Sequence, residues 1–148
     1  MLLQWSNGRP FAIGRARFAD SFGVEQGTPK VFIKIRLGAL DFATTAQLDT
    51  GSAWSVLNAE IAGELSLLDG DGQVTKLATP GGTVVGRLER TRVAILADDG
   101  NGRSLTTEAT FFVSPHWTGH TFLGYAGLLA HVRFALDPRD NFFYFDSA

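Results

Sequence analysis

The chain has 148 residues, 45% of them apolar and 19% charged, and its length predicts one domain. This composition excludes a disordered chain, and the net charge of −2 offers no basic field for nucleic acid. Cysteine is absent, which excludes disulfides and thiol catalysis, and no apolar run has the roughly 18 residues of a membrane span. Residues 1–10 do not resemble a signal peptide, so we expect a cytoplasmic protein without nucleic-acid or membrane partners.

Alternation of apolar and polar residues predicts strands along most of the chain. An example is Val31–Leu37, where residues 31, 33, 35 and 37 alternate with Phe32, Lys34 and Arg36. Further strands are predicted around residues 15–18 and over 42–48, 74–78, 83–88, 91–97, 105–113 and 132–136. Short strands with frequent turns favour a barrel or a sandwich, so we expect an all-β fold in a single domain over residues 1–148.

Two short helices and one tight hairpin are predicted between the strands. The first helix covers residues 59–65 with Asn58 as its N-cap, and the second covers residues 125–131 after Gly124. Pro80 and Gly81 suit the central positions of a type II turn, because Pro presets φ and Gly accepts a positive φ. We therefore predict a glycine-tipped hairpin over about residues 74–88.

Four consecutive aromatic residues lie near the end of the chain, at positions 142–145. A strand with aromatic residues at successive positions cannot turn one face to water, so we predict a strand over about residues 141–146 that is buried on both faces. The burial comes either from the domain itself or from a partner.

Possible metal and phosphate sites fail on their local sequence. His116 and His120 have the spacing of helical metal ligands, but Pro115 and Gly119 interrupt any helix there. The Gly-rich segment 81–86 is not followed by the Lys-Ser/Thr of a phosphate-binding loop. We expect no metal and no cofactor.

One motif has catalytic potential. Asp49, Thr50, Gly51 and Ser52 follow an apolar strand, although Asp-Thr-Gly-Ser is also ordinary turn sequence. Much later in the chain, residues 122–124 form an apolar-apolar-Gly segment before the second predicted helix, and the predicted hairpin lies between the two segments.

This order of elements resembles the retropepsin-like (retroviral-type) aspartic proteases of the single-domain cellular or bacterial type. The resemblance covers about residues 31–145 and implies an acid-protease barrel closed as a C2 homodimer. It implies that Asp49 is the catalytic residue and that the Thr50 hydroxyl crosses the dimer axis to the partner's loop. Gly51 lets the backbone approach the carboxylate and donate its N–H.

The resemblance also implies roles for two other segments and for the C-terminus. Pro80, Gly81 and Gly82 would form the tip of a flap that closes over the substrate. Residues Phe122, Leu123 and Gly124 would support the active loop rather than contact substrate. The C-terminal strand, with Leu2, Leu3 and Trp5 as possible additions, would interleave with its copy at the dimer interface.

A homodimer follows from the number of carboxylates that the chemistry needs. Two close carboxylates that share one proton supply both the base and the acid for hydrolysis by water, a property that is well known for aspartic proteases. The chain has a single Asp-Thr-Gly, because Asp41, Asp137 and Asp140 lack the following Thr-Gly. A two-fold axis through the site would place Asp49 beside Asp49 of a second copy.

Two neighbours of the motif depart from the retroviral pattern. Ser52 stands where many retroviral members have Ala, and we expect its hydroxyl to donate to the Asp49 carboxylate and favour the charged form, which predicts an acidic optimum. Trp54 stands near a position that is acidic in the retroviral members, and either lines a subsite or packs.

The leading hypothesis is an aspartic endopeptidase that cleaves extended peptides with apolar side chains at the scissile bond. The alternative is a catalytically silent peptide-binding or dimerisation module on the same fold. A third possibility is a monomeric barrel that binds a small apolar ligand, with residues 142–145 in the core and Asp49 as a turn residue.

Overall fold

The computed structural model describes residues 2–20 and 30–148, and strands make up 50% of the structure against 7% for helices. The strands are β1 Gly14–Arg17, β2 Ala19–Asp20, β3 Val31–Leu37, β4 Thr44–Asp49, β5 Ser55–Val56, β6 Val74–Thr79, β7 Gly82–Ile95, β8 Leu105–Val113, β9 Thr121–Gly124, β10 Val132–Asp137 and β11 Phe142–Ser147. The helices are α1 Ala59–Glu64 and one 3-10 turn, Leu129–His131. The mainly β fold predicted from the sequence is confirmed.

Six strands close into a barrel in the order β3-β4-β9-β5-β8-β7, with β7 paired back to β3. Neighbouring strands are antiparallel except in the pairs β4–β9 and β5–β8. The parallel pairing of β4 with β9 brings the ends of two strands that are distant in sequence to the same edge, where Asp49 lies opposite Gly124.

The barrel interior is filled by the inward-facing side chains that the alternation predicts. In β3, Ile33, Ile35 and Leu37 are buried while Lys34 and Arg36 are exposed. Burial of each such aliphatic side chain stabilises the fold by roughly 1.5–3 kcal/mol. The largest fully buried side chains of the other strands are Ile95, Phe111, Phe112, Leu123, Phe143 and Phe145.

β7 is one continuous strand, whereas the sequence predicted two strands over 83–88 and 91–97. The charged pair Glu89 and Arg90 remains in the strand because Arg90 is exposed and the Glu89 carboxylate accepts a hydrogen bond of 2.8 Å from the Gly72 N–H. The first part of β7, up to Arg87, pairs with β6 as the predicted hairpin, and the rest pairs with β8 in the barrel wall. The hairpin is therefore a direct extension of the barrel.

The helix predicted over residues 125–131 is wrong in its first half, which is a turn that leads into the 3-10 turn. The backbone here bonds to neighbouring strands, because the Gly127 N–H donates to the carbonyl of Ala53 (3.0 Å) and the Gly127 carbonyl accepts from the Thr110 N–H (3.1 Å). The first predicted helix is present, and the Asn58 side chain caps it by accepting from the N–H of Glu60 at 2.9 Å.

The C-terminal strand β11 is the middle strand of a three-stranded sheet, between β1 and β10. Phe143 and Phe145 are fully buried in the core, and the Arg15 guanidinium lies 4.0 Å from the ring centre of Phe142 on the other face. The aromatic run is therefore fully buried on one face only, because Phe142 and Tyr144 on the other face are half-buried, and the prediction of burial on both faces is only partly met. The predicted interleaving of β11 with a partner does not fit this arrangement, because both edges of the strand are already hydrogen-bonded within the chain.

Candidate active site

Asp49 is the last residue of β4 and begins a tight turn at the edge of the barrel. The Gly51 N–H donates to the Asp49 carboxylate at 3.0 Å, and the Ser52 N–H donates to the Asp49 carbonyl at 3.2 Å. Asp49 is half-buried, whereas Thr50 and Gly51 are exposed. A backbone N–H of the turn therefore holds the Asp49 carboxylate in place, while Thr50 and Gly51 remain exposed to solvent.

Backbone N–H groups at the end of β9 and just after it support this turn by hydrogen bonds. The Tyr125 N–H donates to the Ser52 carbonyl at 2.7 Å, and the Gly124 N–H donates to the hydroxyl of the fully buried Ser55 at 3.0 Å. A Cβ on Gly124 would lie 2.2 Å from the carbonyl oxygen of Trp54, so only glycine allows this approach. Leu123 and Gly124 lie where the sequence predicted support for the loop.

The Ser52 hydroxyl does not contact the Asp49 carboxylate, and the prediction from the sequence is wrong on this point. It donates instead to the carbonyl oxygen of Trp54 at 2.7 Å. The turn brings this carbonyl within reach of the hydroxyl, and a hydroxyl has only one proton to donate. The acidic pH optimum was predicted from a hydrogen bond that the structure does not contain, so this basis for it is removed. Ser52 instead stabilises the loop through its bond to Trp54.

An open cleft of about 470 Å³ separates the Asp49 turn from the tip of the β6–β7 hairpin. Its lining residues are Asp49, Gly51, Ser52, Ala53, Val56, Leu77, Ala78, Thr79, Pro80, Trp117 and Phe122. The structure thus brings together residues from all three segments that the sequence singled out: the Asp49 turn, Pro80 of the hairpin tip and Phe122. Asp49 is the one acidic side chain among these described residues, so the cleft of one chain holds a single carboxylate.

The hairpin tip differs in detail from the predicted type II turn. Thr79 pairs with Gly82 across a two-residue loop, and the positive φ of +121° falls on Gly82 instead of Gly81. The Thr79 hydroxyl donates to the Gly82 carbonyl at 2.6 Å and stabilises this geometry. Pro80 lines the cleft, whereas Gly81 and Gly82 do not.

Two aromatic rings form part of the cleft wall. Phe122 was predicted to support the loop, but it faces the cleft because it alternates with the buried Leu123 along β9. Trp117 was missed, since it lies in the connection between β8 and β9, where no periodic pattern indicates its direction. Its ring centre is 5.7 Å from that of Phe122, and its Nε1 donates to the His120 carbonyl at 2.8 Å.

Trp54 and the histidines lie outside the cleft lining. Trp54 is half-buried, and its carbonyl oxygen accepts the hydrogen bond from the Ser52 hydroxyl. The His120 ring packs edge-on against Phe32 at 5.5 Å and Phe122 at 6.5 Å. Within residues 2–20 and 30–148, no group of three or more His, Cys, Asp or Glu side chains is placed to hold a metal ion.

A scan against protein-family models and a search of the curated proteins both find no match to this chain. In the described part of the chain, no helix has both the length and the apolar character needed to cross a bilayer. The function is therefore inferred from the geometry around Asp49.

Proposed function

We propose that this protein is an aspartic endopeptidase of the retropepsin-like type, whose active unit is a homodimer with one Asp49 from each copy. The observation that carries the proposal is the position of Asp49, whose carboxylate lines a cleft that the tip of the β6–β7 hairpin also lines. The Asp-Thr-Gly-Ser turn, its support by Gly124 and the hairpin correspond in order to the elements of that family.

The proposed reaction uses the two Asp49 carboxylates as a pair that holds one proton. The ionised carboxylate takes a proton from a water molecule, whose oxygen bonds to the peptide carbonyl carbon, while the neutral carboxyl gives its proton to the carbonyl oxygen. The carboxyl that took the water proton then gives it to the amide nitrogen, the C–N bond breaks, and the other carboxylate takes a proton from a hydroxyl of the tetrahedral intermediate, which yields a carboxylic acid and an amine. The pair ends with one proton, as it began, and no cofactor takes part.

The proposed substrate is an extended peptide under the hairpin. Val56, Leu77, Trp117 and Phe122 give the cleft an apolar wall beside Asp49, which suits large apolar side chains near the scissile bond. Pro80 at the tip would contact the substrate from the hairpin and help to exclude water.

The test is hydrolysis of a quenched fluorescent peptide library by the wild type and by Asp49→Asn. Asn keeps the size of the side chain but cannot serve as the base, so we expect activity to fall by at least about 1,000-fold. Asp41→Asn, at an exposed aspartate in the β3–β4 connection, is the matched control and should retain wild-type activity. Hydrolysis that survives in Asp49→Asn would refute the proposal.

A catalytically silent peptide-binding module is the second candidate function. It is favoured by the single carboxylate in the cleft of one chain, since the apolar wall alone is enough to bind a peptide. For such a module, the wild type and the Asp49→Asn variant would bind library peptides equally well, and neither would cleave them.

A further inference from the structure

We infer that a second, polar pocket beside the Asp49 cleft binds the amide side chain of a substrate Asn or Gln that lies about four residues from the scissile bond. The pocket has a volume of about 410 Å³ and lies where β4 and β9 begin. Its polar lining residues are Thr44, Thr45, Asn58, Thr118, His120 and Thr121. The inference rests on the proposed function and adds a preference at a distant position of the substrate.

The strand register places the polar pocket and the cleft along one face of the sheet. Thr45, Gln47 and Asp49 are alternate residues of β4, so their side chains share a face. Gln47 pairs with Phe122 of β9, which lines the cleft. The His120 ring of the polar pocket packs edge-on against the Phe122 ring, with 6.5 Å between their centres. The two cavities are therefore neighbours on this face.

The spacing along β4 gives the distance from the scissile bond. Thr45 lies four residues before Asp49, which corresponds to about 13 Å at the usual rise of a strand. An extended peptide rises by the same amount per residue. A substrate that follows this face from Asp49 therefore reaches the polar pocket with about its fourth residue from the scissile bond.

Two buried polar groups along this face have unused hydrogen-bonding capacity. Oε1 of Gln47 is buried and has no hydrogen-bond partner in the described part of the chain. Thr121 is only 3% exposed and accepts from the Asn58 N–H at 3.1 Å, but among residues 2–20 and 30–148 its own hydroxyl proton has no acceptor. Buried donors and acceptors without partners cost free energy. A ligand with both a carbonyl oxygen and an N–H group offers both kinds of partner.

The lining of the polar pocket favours a neutral side chain. Threonine hydroxyls and a neutral imidazole both donate and accept hydrogen bonds, and no Asp, Glu, Lys or Arg side chain lines the pocket. A charged substrate side chain would lose water there without gaining a counter-charge, and an aliphatic one would leave hydroxyls unpaired. The amide of Asn or Gln both donates and accepts, so it matches the lining.

The test measures peptide binding to Asp49→Asn by fluorescence anisotropy, so that the peptides are not cleaved. Labelled decapeptides carry two central Phe residues and either Gln, Glu or Leu at the fourth position on both sides of the Phe–Phe bond. The Glu peptide is included because Lys34 lies opposite Thr45 in the β3–β4 pairing, outside the lining. We expect the Gln peptide to bind about 10-fold more tightly than the other two, as one or two net hydrogen bonds would give.

Two substitutions added to Asp49→Asn assign this preference to the polar pocket. Thr45→Val and Thr118→Val together remove two hydroxyls from exposed positions and nearly keep the side-chain shape, so the Gln preference should disappear while the Leu peptide binds as before. Thr106→Val, at an exposed position of β8 outside both cavities, is the matched control and should keep the preference. In the wild type, the Gln peptide should be cleaved with a KM about 10-fold lower and an unchanged kcat.

The outcomes separate this inference from the proposed function. No binding, equal affinity for the three peptides, a preference for Glu or Leu, or a Gln preference that survives Thr45→Val with Thr118→Val overturns the polar pocket as a substrate site. A Gln preference that depends on these hydroxyls, in a wild type that cleaves neither these peptides nor the library, supports the pocket and refutes the protease. Hydrolysis that depends on Asp49 without a preference at the fourth position supports the protease and refutes the pocket.

Discussion

Gly124→Ala should damage the Asp49 turn from a position outside the cleft lining. The added Cβ would lie 2.2 Å from the carbonyl oxygen of Trp54, 2.4 Å from its carbonyl carbon and 2.9 Å from the Ser52 carbonyl oxygen. All three atoms belong to the backbone of the loop that follows Asp49, so no side chain can rotate away. The loop itself must move, and Asp49 at its start moves with it.

The expected magnitude follows from the cost of overpacking and from the chain length. Overpacking of this kind costs about 3 kcal/mol, at the upper end of the usual range, because rigid backbone must shift. An unfolding entropy of about 0.3 kcal/mol/K for a chain of this size converts this into a Tm lower by about 10 °C. A displacement of the carboxylate by about 1 Å should lower kcat/KM by about 100-fold.

Calorimetry and peptide hydrolysis would measure the two effects, with Gly63→Ala as the matched control. Gly63 is an exposed residue of α1, where the nearest atom to an added Cβ is a Leu68 methyl at 3.8 Å. Alanine favours helix there by up to about 1 kcal/mol, so this variant should melt as high as the wild type or higher. If Gly124→Ala matched the wild type in Tm and kcat/KM, β9 would not support the loop in the way described.

Three further substitutions, with Gly81→Ala as a control, test the loop and the hairpin. Ser55→Ala leaves the buried N–H of Gly124 without its acceptor, so urea unfolding should show that the free energy of unfolding falls by about 1–3 kcal/mol. An unchanged unfolding midpoint would contradict the hydrogen bond. Ser52→Ala should lower stability by about 1 kcal/mol yet leave the pH–rate profile unchanged, because its hydroxyl bonds to Trp54; a shifted profile would restore the contact first predicted from the sequence. Gly82→Ala forces an L side chain into φ +121° and should cost about 1–3 kcal/mol, whereas Gly81→Ala should be nearly neutral; equal Tm values for both would refute this turn geometry.

The sequence predicts those features that depend on local periodicity and capping. The strands over Val31–Leu37 and Leu105–Val113 have the predicted bounds. One face of the first strand meets the core, as its alternation predicts, whereas the end of the second is buried on both faces. Asn58 caps α1 because its side chain accepts backbone N–H groups two and three residues ahead, which is a local interaction. The Asp-Thr-Gly-Ser turn was likewise visible as a motif.

Other features depend on contacts between distant segments, which periodicity does not encode. Residues 125–128 are not helical because the backbone of Gly127 hydrogen-bonds to Ala53 and Thr110, which are distant in sequence. The break predicted in β7 is absent because Glu89 binds a loop seventeen residues earlier. The position of Trp117 in the cleft, and the enclosure of β11 by β1 and β10, also follow only from the closed fold.

The most direct measurement of whether two Asp49 carboxylates form one site is a subunit-mixing experiment. Wild type and Asp49→Asn are combined at constant total concentration, allowed to exchange subunits, and assayed for peptide hydrolysis. If each site needs Asp49 from both copies, the rate will fall with the square of the wild-type fraction. A rate that falls in direct proportion to that fraction would show that one chain is sufficient and would contradict the shared site.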